Sequence, residues 1–487
     1  MNFLLIVDDS KNWKLEIPNV EIVSANSYLT DSKYSEKRKF KVFNLCKSYR
    51  YQSYGYYVSL LAEARWHKPV PSISTIQDMK SNSITKITSE EIEEIIQSSL
   101  KDIKSNKFVL KIYFGENNLK KYEKLSHEIF TLFYTPFLRV TFSYNHPKWS
   151  AQSVIPIPAD EIPEEDKEFV MECARRYFSK KRIFNSRRKN FFRYNMAILY
   201  NGLLEEKPSN RRAINKFIKL AETLGIESEI ITKEDYSRIP EFDILFIRET
   251  TAVNNHTYRF SRRASAEGLS VLDDPESILK CCNKVYLTEI LKNNNISIPK
   301  TLIVKKNNGG VDEIINQLGF PVVLKKPDSS FSLGVKKAEN KEELTKLLSD
   351  FFENSDLVIC QEYVPTSFDW RIGVLNKKPL FACRYYMAKK YWQILKKGRD
   401  GKTKEGDSDT IPIEQVPKKV LKEALRAAKL IGDGLYGVDI KETNGKVYVI
   451  EINDNPNIDA GTEDKVLGKE VYLRILNHLI EKLEHRK

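Results

Sequence analysis

The chain has 487 residues, 41% of them apolar and 30% charged, and a formal net charge of +13. Such a length suggests about three domains, and the composition belongs to a folded chain with enough apolar surface for several cores, not to a disordered or fibrous one. The first apolar run, Phe3–Val7, is short and meets Asp8 and Asp9 at once, and no later run is long enough to span a bilayer, so no leader peptide, no membrane segment and a cytoplasmic location are expected.

The six cysteines include no C-x-x-C pair, which points to reduced thiols rather than a zinc site or a disulfide framework. Basic residues are spread along the chain, with one modest cluster at Lys180–Lys189. The excess charge is read as a lysine-rich solvated surface that can help recruit an anionic substrate, with no nucleic-acid motif to suggest more.

Residues 1–185 open with a strand at Phe3–Val7, followed by a second at Phe40–Leu45. A tyrosine-rich stretch, Tyr49 to Tyr57, leads into a helix over Val58–Trp66, which Pro69 and Pro71 terminate. These tyrosines, with Trp66 and His67, are expected to fill a core or an interface. Strands follow at Phe108–Phe114 and Leu138–Tyr144, then a charged helix over Glu164–Tyr177 and a basic connector. Residues 190–275 alternate strand and helix: Met196–Tyr200, a helix Arg212–Leu224 capped by Ser209 and ended by Gly225, then strands Ile226–Ile231 and Ile244–Ile247. That alternation implies a small parallel α/β sheet.

Residues 276–487 hold nearly all the recognisable chemistry. Two apolar runs, Gly437–Lys441 and Val449–Asn453, flank Asn444-Gly445, a hairpin signal. Glu451 and Asn453, two apart, share a face. A two-residue loop would set Asp439 opposite Ile450 and away from them. A three-residue loop, Thr443-Asn444-Gly445, would set it opposite Val449 and beside them. The three-residue loop is predicted, because acids inside apolar runs need compensation. Two carboxylates and an amide oxygen suit magnesium, which takes hard oxygen ligands and completes its shell with water and phosphate.

Upstream, Lys284 begins a helix, and the apolar strand Phe320–Leu324 ends at Lys325, a point charge suited to phosphates. The polar loop Asp328–Val335, with Ser330, Ser332 and Gly334, can close over phosphate oxygens through hydroxyls and backbone N–H groups. The strand Leu357–Glu362 runs on into Tyr363 and Val364, and Asp369 behind it could accept from ribose hydroxyls. Arg371 and Arg384 alternate with apolar residues, so both are expected to face a cleft, where a planar fork suits carboxylate or phosphate.

The series Lys284, Lys325, the Ser/Gly loop, Gln361-Glu362-Tyr363, Asp369-x-Arg371, Gly437-Val438-Asp439 and Glu451-Ile452-Asn453 resembles the ATP-grasp superfamily over roughly residues 190–480. It is most similar to the RimK-like branch, which includes the glutamate ligase acting on a ribosomal protein. The segment Tyr51–Tyr57 resembles part of the N-terminal domain found ahead of some RimK-like proteins. The resemblance implies an α/β protein: an ATP-grasp fold, made of a pre-ATP-grasp parallel sheet (190–275) and two α+β subdomains (276–487), behind a separate α/β N-terminal domain (1–185).

It also implies ATP and magnesium or manganese as cofactors. Lys284 and Lys325 then contact phosphates under the Ser330–Gly334 loop, and Gln361, Glu362, Tyr363 and Val364 form the adenine hinge. Asp369 sits near the ribose, Asp439, Glu451 and Asn453 hold metal, and Arg371 and Arg384 meet the substrate carboxylate or its acyl phosphate. The implied activity joins a carboxylate to an amine through an acyl phosphate. Partners are then a small-molecule or peptide carboxylate and amine, with a protein acceptor and a homo-oligomer both left open. A small-molecule kinase and a nucleotide-responsive scaffold are the rival readings. Two departures stand out: a single glycine, Gly334, in the flexible loop, and Lys389-Lys390-Tyr391-Trp392-Gln393 where the ribosomal-protein ligase has Arg-Ser-Asn, which suggests a different acceptor.

Overall fold

The computed structural model describes residues 2–485 except 11–16, 18–19, 36–39, 66, 81–89, 180–191, 205–206, 307–309, 329–333, 389–391 and 398–402. The chain divides into two units, Met1–Lys189 and Asn190–Lys487.

In the first unit, strands β1 (Asn2–Val7), β2 (Val20–Ser24), β3 (Phe40–Asn44) and β4 (Lys68–Val70) form a parallel sheet in the order β2-β1-β3-β4. The apolar run in β1 serves two cores. Leu4 and Ile6 pack with Tyr28, Val42, Val58 and Ala62, while Leu5 and Val7 pack with Phe43 and an aromatic-rich core. Both faces are covered, so the strand reads as continuous hydrophobic sequence. Strands β5 (Lys107–Tyr113), β6 (Phe137–Asn145) and β7 (Lys148–Pro156) make an antiparallel sheet.

The tyrosine stretch differs from expectation. The helix begins at Tyr54, four residues early, because Ser53 accepts from the Tyr56 N–H and caps it. Its buried side is Gly55, Val58, Ser59 and Ala62, which leaves Tyr54 61% exposed and Tyr57 38% exposed, with Tyr51 before it at 69%. Trp66 lies outside the described residues, and His67 is buried against the Tyr28 hydroxyl at 2.7 Å.

The second unit begins with a parallel sheet of β8 (Tyr194–Leu199), β9 (Ile226–Ile231), β10 (Ile244–Ile247) and β11 (Ser270–Leu272), ordered β11-β10-β8-β9. The helix Arg211–Thr223 packs against it, and Phe217 meets Tyr472 of the helix Glu470–His485 at 4.8 Å between ring centroids. Its cap is Asn210, whose side chain accepts from the Ala213 N–H at 2.9 Å; the expected cap, Ser209, is buried and donates to Ile458 O instead. Gly225, at φ +72°, follows the helix end as expected.

An antiparallel sheet follows, β12 (Thr301–Lys305), β13 (Val322–Lys325), β14 (Val335–Ala338) and β15 (Leu357–Glu362), ordered β12-β15-β13-β14. The last large sheet is built from β16 (Phe368–Leu375), β17 (Lys378–Tyr386), β20 (Ser408–Ile411), β21 (Leu435–Thr443) and β22 (Lys446–Asn453), ordered β20-β17-β16-β21-β22. Between β17 and β20, β18 (Leu395–Lys397) and β19 (Thr403–Glu405) pair as a short ribbon. One face of the five-stranded sheet, carrying Trp370, Ile372, Val438, Ile440, Val449 and Ile452, packs on the helix Lys418–Ile431. The opposite face is left to carry chemistry. All six cysteines are unpaired thiols, and no helix among the described residues is long and apolar enough to cross a membrane.

Candidate functional site

The hairpin of β21 and β22 sets the site's geometry, by a route the sequence did not indicate. Thr443 pairs with Lys446, so the loop has two residues, Asn444 and Gly445, both with positive φ (50° and 72°). This matches the turn that suits twisted hairpins, and the predicted three-residue loop is not formed. Regular pairing would then place Asp439 opposite Ile450. Instead the register shifts between Asp439 and Ile440: Ile440 pairs with Val449, and Asp439 pairs with Glu451. Ile450 is the extra residue of a β-bulge, which lets Ile450 and Glu451 both face the cavity. Gly437 pairs with Asn453. Asp439, Glu451 and Asn453 therefore converge.

Buried carboxylates need cations, and each of these has one. Arg371 makes a two-point contact to Asp439, Nε to Oδ1 at 2.6 Å and Nη2 to Oδ2 at 2.7 Å. Lys284 Nζ lies 2.9 Å from Glu451 Oε1. Lys441 Nζ lies 2.6 Å from Asp369 Oδ1 and 2.7 Å from the Thr366 hydroxyl, which also donates to Asp369. Asn453 Nδ2 donates to Asp439 Oδ2 at 3.2 Å. Burial drives Lys325 down to about 8, opposed by Glu451 and aided by Lys284. For Glu451, burial pushes upward, but Lys284 and Lys325 outweigh it and hold the carboxyl below its ordinary value. Burial works against the Arg371 charge too, yet Asp439 beside it carries the guanidinium well above its usual range.

This face opens on a cavity of about 1100 Å³, a size suited to a nucleotide and a second substrate. Lys325, Asp328, Gln361, Glu362, Tyr363, Val364, Asp369, Arg371, Asp439, Glu451 and Asn453 all line it. Lys284 stands behind it, lining a small void with Lys325. Gln361 donates to the Thr301 hydroxyl at 2.8 Å, and Glu362 accepts from the Lys300 N–H at 2.7 Å. Both side chains are thus tied back to the start of β12 and the residue before it, and the Glu362 N–H donates to Lys300 O at 2.9 Å. Gly334 O accepts from the Lys326 N–H at 2.9 Å and anchors the end of the loop. Ser330 and Ser332 lie outside the described residues.

Arg384 is not brought into this cavity. Antiparallel pairing sets Arg371 opposite Cys383 and Trp370 opposite Arg384, so the two arginines lie on opposite faces. Arg384 pairs with Asp409 and covers the Phe368 ring at 5.6 Å. Counting residues along the sequence does not reveal this, because the register between two strands decides which positions share a face.

Three residues were missed. Lys441 follows Asp439 by two on the same strand, a spacing that already places it on the cavity face. Arg248 is fully buried and donates to Asn455 Oδ1 at 2.6 Å and Pro456 O at 2.8 Å, tying the end of β10 to the chain leaving β22. Asp454, 5% exposed, lines the cavity beside Thr251 and Cys282, and burial pushes it up to about 7. Nothing local marks either Arg248 or Asp454.

Among the described residues no three His, Cys, Asp or Glu side chains gather at metal-ligand spacing. A cation here would rest on Asp439, Glu451 and the Asn453 amide oxygen, with water and phosphate completing the shell. That donor set fits magnesium and suits no soft metal.

The chain matches the family model of the RimK-like ATP-grasp N-terminal domain over residues 25–173 and that of the RimK-like ATP-grasp domain over residues 281–479. A probable alpha-L-glutamate ligase of Marinomonas sp. (strain MWYL1) is 21% identical over 283 residues, which is 54% of this chain and 90% of that relative. The alpha-aminoadipate–LysW ligase LysX of Sulfolobus acidocaldarius is 26% identical over 267 residues, 52% of this chain and 87% of that one. Among solved structures, a D-alanine–D-alanine ligase from Bacillus anthracis covers 60% of this chain and 99% of its own, at 19% identity and a TM-score of 0.49.

Proposed function

Since the chain is an ATP-dependent carboxylate–amine ligase of the RimK-like ATP-grasp family, preceded by that family's N-terminal domain, we propose that it adds an amino acid, glutamate or a close relative, to a carboxylate of a peptide or protein. The observation that carries this reading is the cavity face where Asp439, Glu451 and Asn453 converge beside Lys325 and Arg371, with Lys284 bonded to Glu451. The named relatives act on glutamate and on aminoadipate with LysW, which is why an amino acid is the favoured amine.

In this reading ATP lies across the cavity. Backbone groups of Glu362 and Val364 meet the adenine, and Asp369 is near the ribose. Lys284 and Lys325 face the phosphates. Asp439, Glu451 and Asn453 would hold magnesium, which when bound offsets phosphate charge. The donor carboxylate attacks the γ-phosphorus, and the bond to the β-phosphate oxygen breaks to release ADP. Arg371, already on this face, is placed to steady the carboxylate or its acyl phosphate. The lysines and Arg371 offset charge on the transferred group, so positioning and electrostatics supply most of the catalysis. The amine nitrogen then attacks the acyl carbon, phosphate leaves with the electron pair, and the nitrogen releases a proton. Residues 190–275 act as the pre-ATP-grasp domain and 276–487 as the ATP-grasp domain, with 1–185 separate from both.

The test is the purified chain with ATP, magnesium, each amino acid and short glutamyl peptides, read by phosphate release and mass spectrometry, with Glu451→Gln as control. ADP plus a mass gain matching condensation, lost in the control, supports the proposal. A phosphorylated product without condensation makes the protein a kinase. Nucleotide binding without turnover on any mixture favours the scaffold reading.

A further inference from the structure

The wall of the cavity changes character along its length. On the face of β21 and β22 it is charged. Past that face, the chain leaving β22 meets the end of β10, where Asn455 Nδ2 donates to Glu249 O at 2.8 Å. From there the wall continues through residues 250–254 and through two helices, Pro275–Cys282 and Lys284–Asn293. Among the described residues that line the cavity within 250–254 and 279–289 there is no lysine or arginine, and the one acid is Glu289. Three large apolar side chains meet solvent there instead: Val253 is 40% exposed, Leu279 42% and Tyr286 44%. The core does not account for them. The first helix buries Ile278 and Cys281 and the second Leu287 and Leu291, while Leu279 and Tyr286 lie off those stripes. One exposed leucine needs no explanation, but apolar groups from a loop and two helices on the rim of one cavity mark a surface that a ligand covers.

We propose that this rim seats an apolar side chain of the peptide or protein substrate, on the residue next to the one whose carboxylate reacts. This rests on the ligase reading and deepens it by naming the substrate class. A nucleotide and a free amino acid can be enclosed in a cavity of about 1100 Å³, but a peptide chain must leave through the mouth and cross its rim. A wall without cations suits neither a phosphate nor a run of glutamates. An apolar side chain laid against Val253, Leu279 and Tyr286 removes both surfaces from water, and Glu289 beside them favours a neutral or basic flank over an acidic one.

The experiment uses the full chain with ATP, magnesium and L-glutamate as the amine, and offers acetyl-Phe-Glu, acetyl-Leu-Glu and acetyl-Ser-Glu as carboxylates. Condensation is read by mass spectrometry. The proposal expects kcat/KM for the phenylalanyl and leucyl peptides to exceed that for the seryl peptide by at least about tenfold, carried by KM, as burial of one large apolar side chain gives. Leu279→Ser and Tyr286→Ser should each cut that ratio to about threefold or less, while Tyr286→Phe keeps it. A variant that folds poorly lowers every peptide alike and leaves the ratio unchanged. Condensation without an apolar preference, or a preference that either serine variant keeps, overturns the inference and leaves the ligase reading standing. So does a concentration-dependent dimer that Leu279→Ser dissolves with the preference intact, since a second copy of the chain then covers the rim. If no peptide condenses, the ligase reading fails, and hydrogen exchange over residues 275–291 with ADP and acetyl-Phe-Glu decides alone. Slowed exchange that acetyl-Ser-Glu does not give supports the seat, and unchanged exchange overturns it.

Discussion

The pair Arg371–Asp439 offers a test of how the cavity face is held together. The two residues lie 68 apart in sequence, on β16 and β21, and their side chains are 18% and 17% exposed. Arg371→Met would leave Asp439 with the Asn453 amide and no cation. Removing one partner of a buried pair costs about 3–5 kcal/mol, and the partial exposure argues for the lower end, about 3 kcal/mol. Asp439→Asn should cost a similar amount by stranding Arg371. The double variant removes both charges, so its cost should fall short of the sum by at least about 2 kcal/mol. Native-state hydrogen exchange read on peptides covering 368–375 and 435–453 reports these strands without requiring the whole chain to unfold in one step. A loss of about 3 kcal/mol is roughly a 150-fold faster exchange. Single variants that speed exchange less than about threefold, or a double variant whose effect is their simple sum, would show that solvent screens the pair and that the compensation argument is wrong.

Three further outcomes are expected. Burial is the chief cause that takes Glu463 from an ordinary 4.5 up to about 7, while Tyr385 donates to it. The folded chain therefore holds this proton more tightly than the unfolded chain, and stability present below about 4.5 is lost as pH rises through 7, by about 3 kcal/mol. Glu463→Gln should flatten the difference between unfolding midpoints at pH 5 and pH 8. Gly373→Ala would set a Cβ 2.3–2.6 Å from the Phe381 ring and should cost about 1–3 kcal/mol, seen as a lower denaturation midpoint for the second unit. Tyr54→Ser removes a ring that is 61% exposed and should change stability by less than about 0.5 kcal/mol; a thermal midpoint lowered by several degrees would mean the tyrosines pack after all.

Much of the site could be read before the fold was seen. Lys284 at a helix start, Lys325 at a strand end and Glu451 two before Asn453 are features of type and spacing, and local structure preserves them. The tyrosine helix starts four residues ahead of its apolar run because Ser53 is a good cap, and its tyrosines, expected in a core or an interface, divide: Tyr49 is buried while Tyr51, Tyr54 and Tyr57 are exposed. Ser209 suits a cap by residue type, yet Asn210 next to it is equally suited, and Ser209 is claimed by Ile458 and Arg248, both distant in sequence.

The sequence by itself determined the order of the chemical groups, the strands that bear them and the presence of a hairpin at Asn444-Gly445, because apolar period and turn chemistry act over a few residues. Tertiary structure alone decided which groups meet. Period-two counting names a face only until a strand is interrupted, and the bulge at Ile450, unmarked by any residue type, brings Glu451 opposite Asp439. Strand register sends Arg384 to the far side of the sheet from Arg371. The cations that offset each carboxylate arrive from other elements, as Arg371 and Lys284 do: charge compensation depends on distance in space, which no local pattern records.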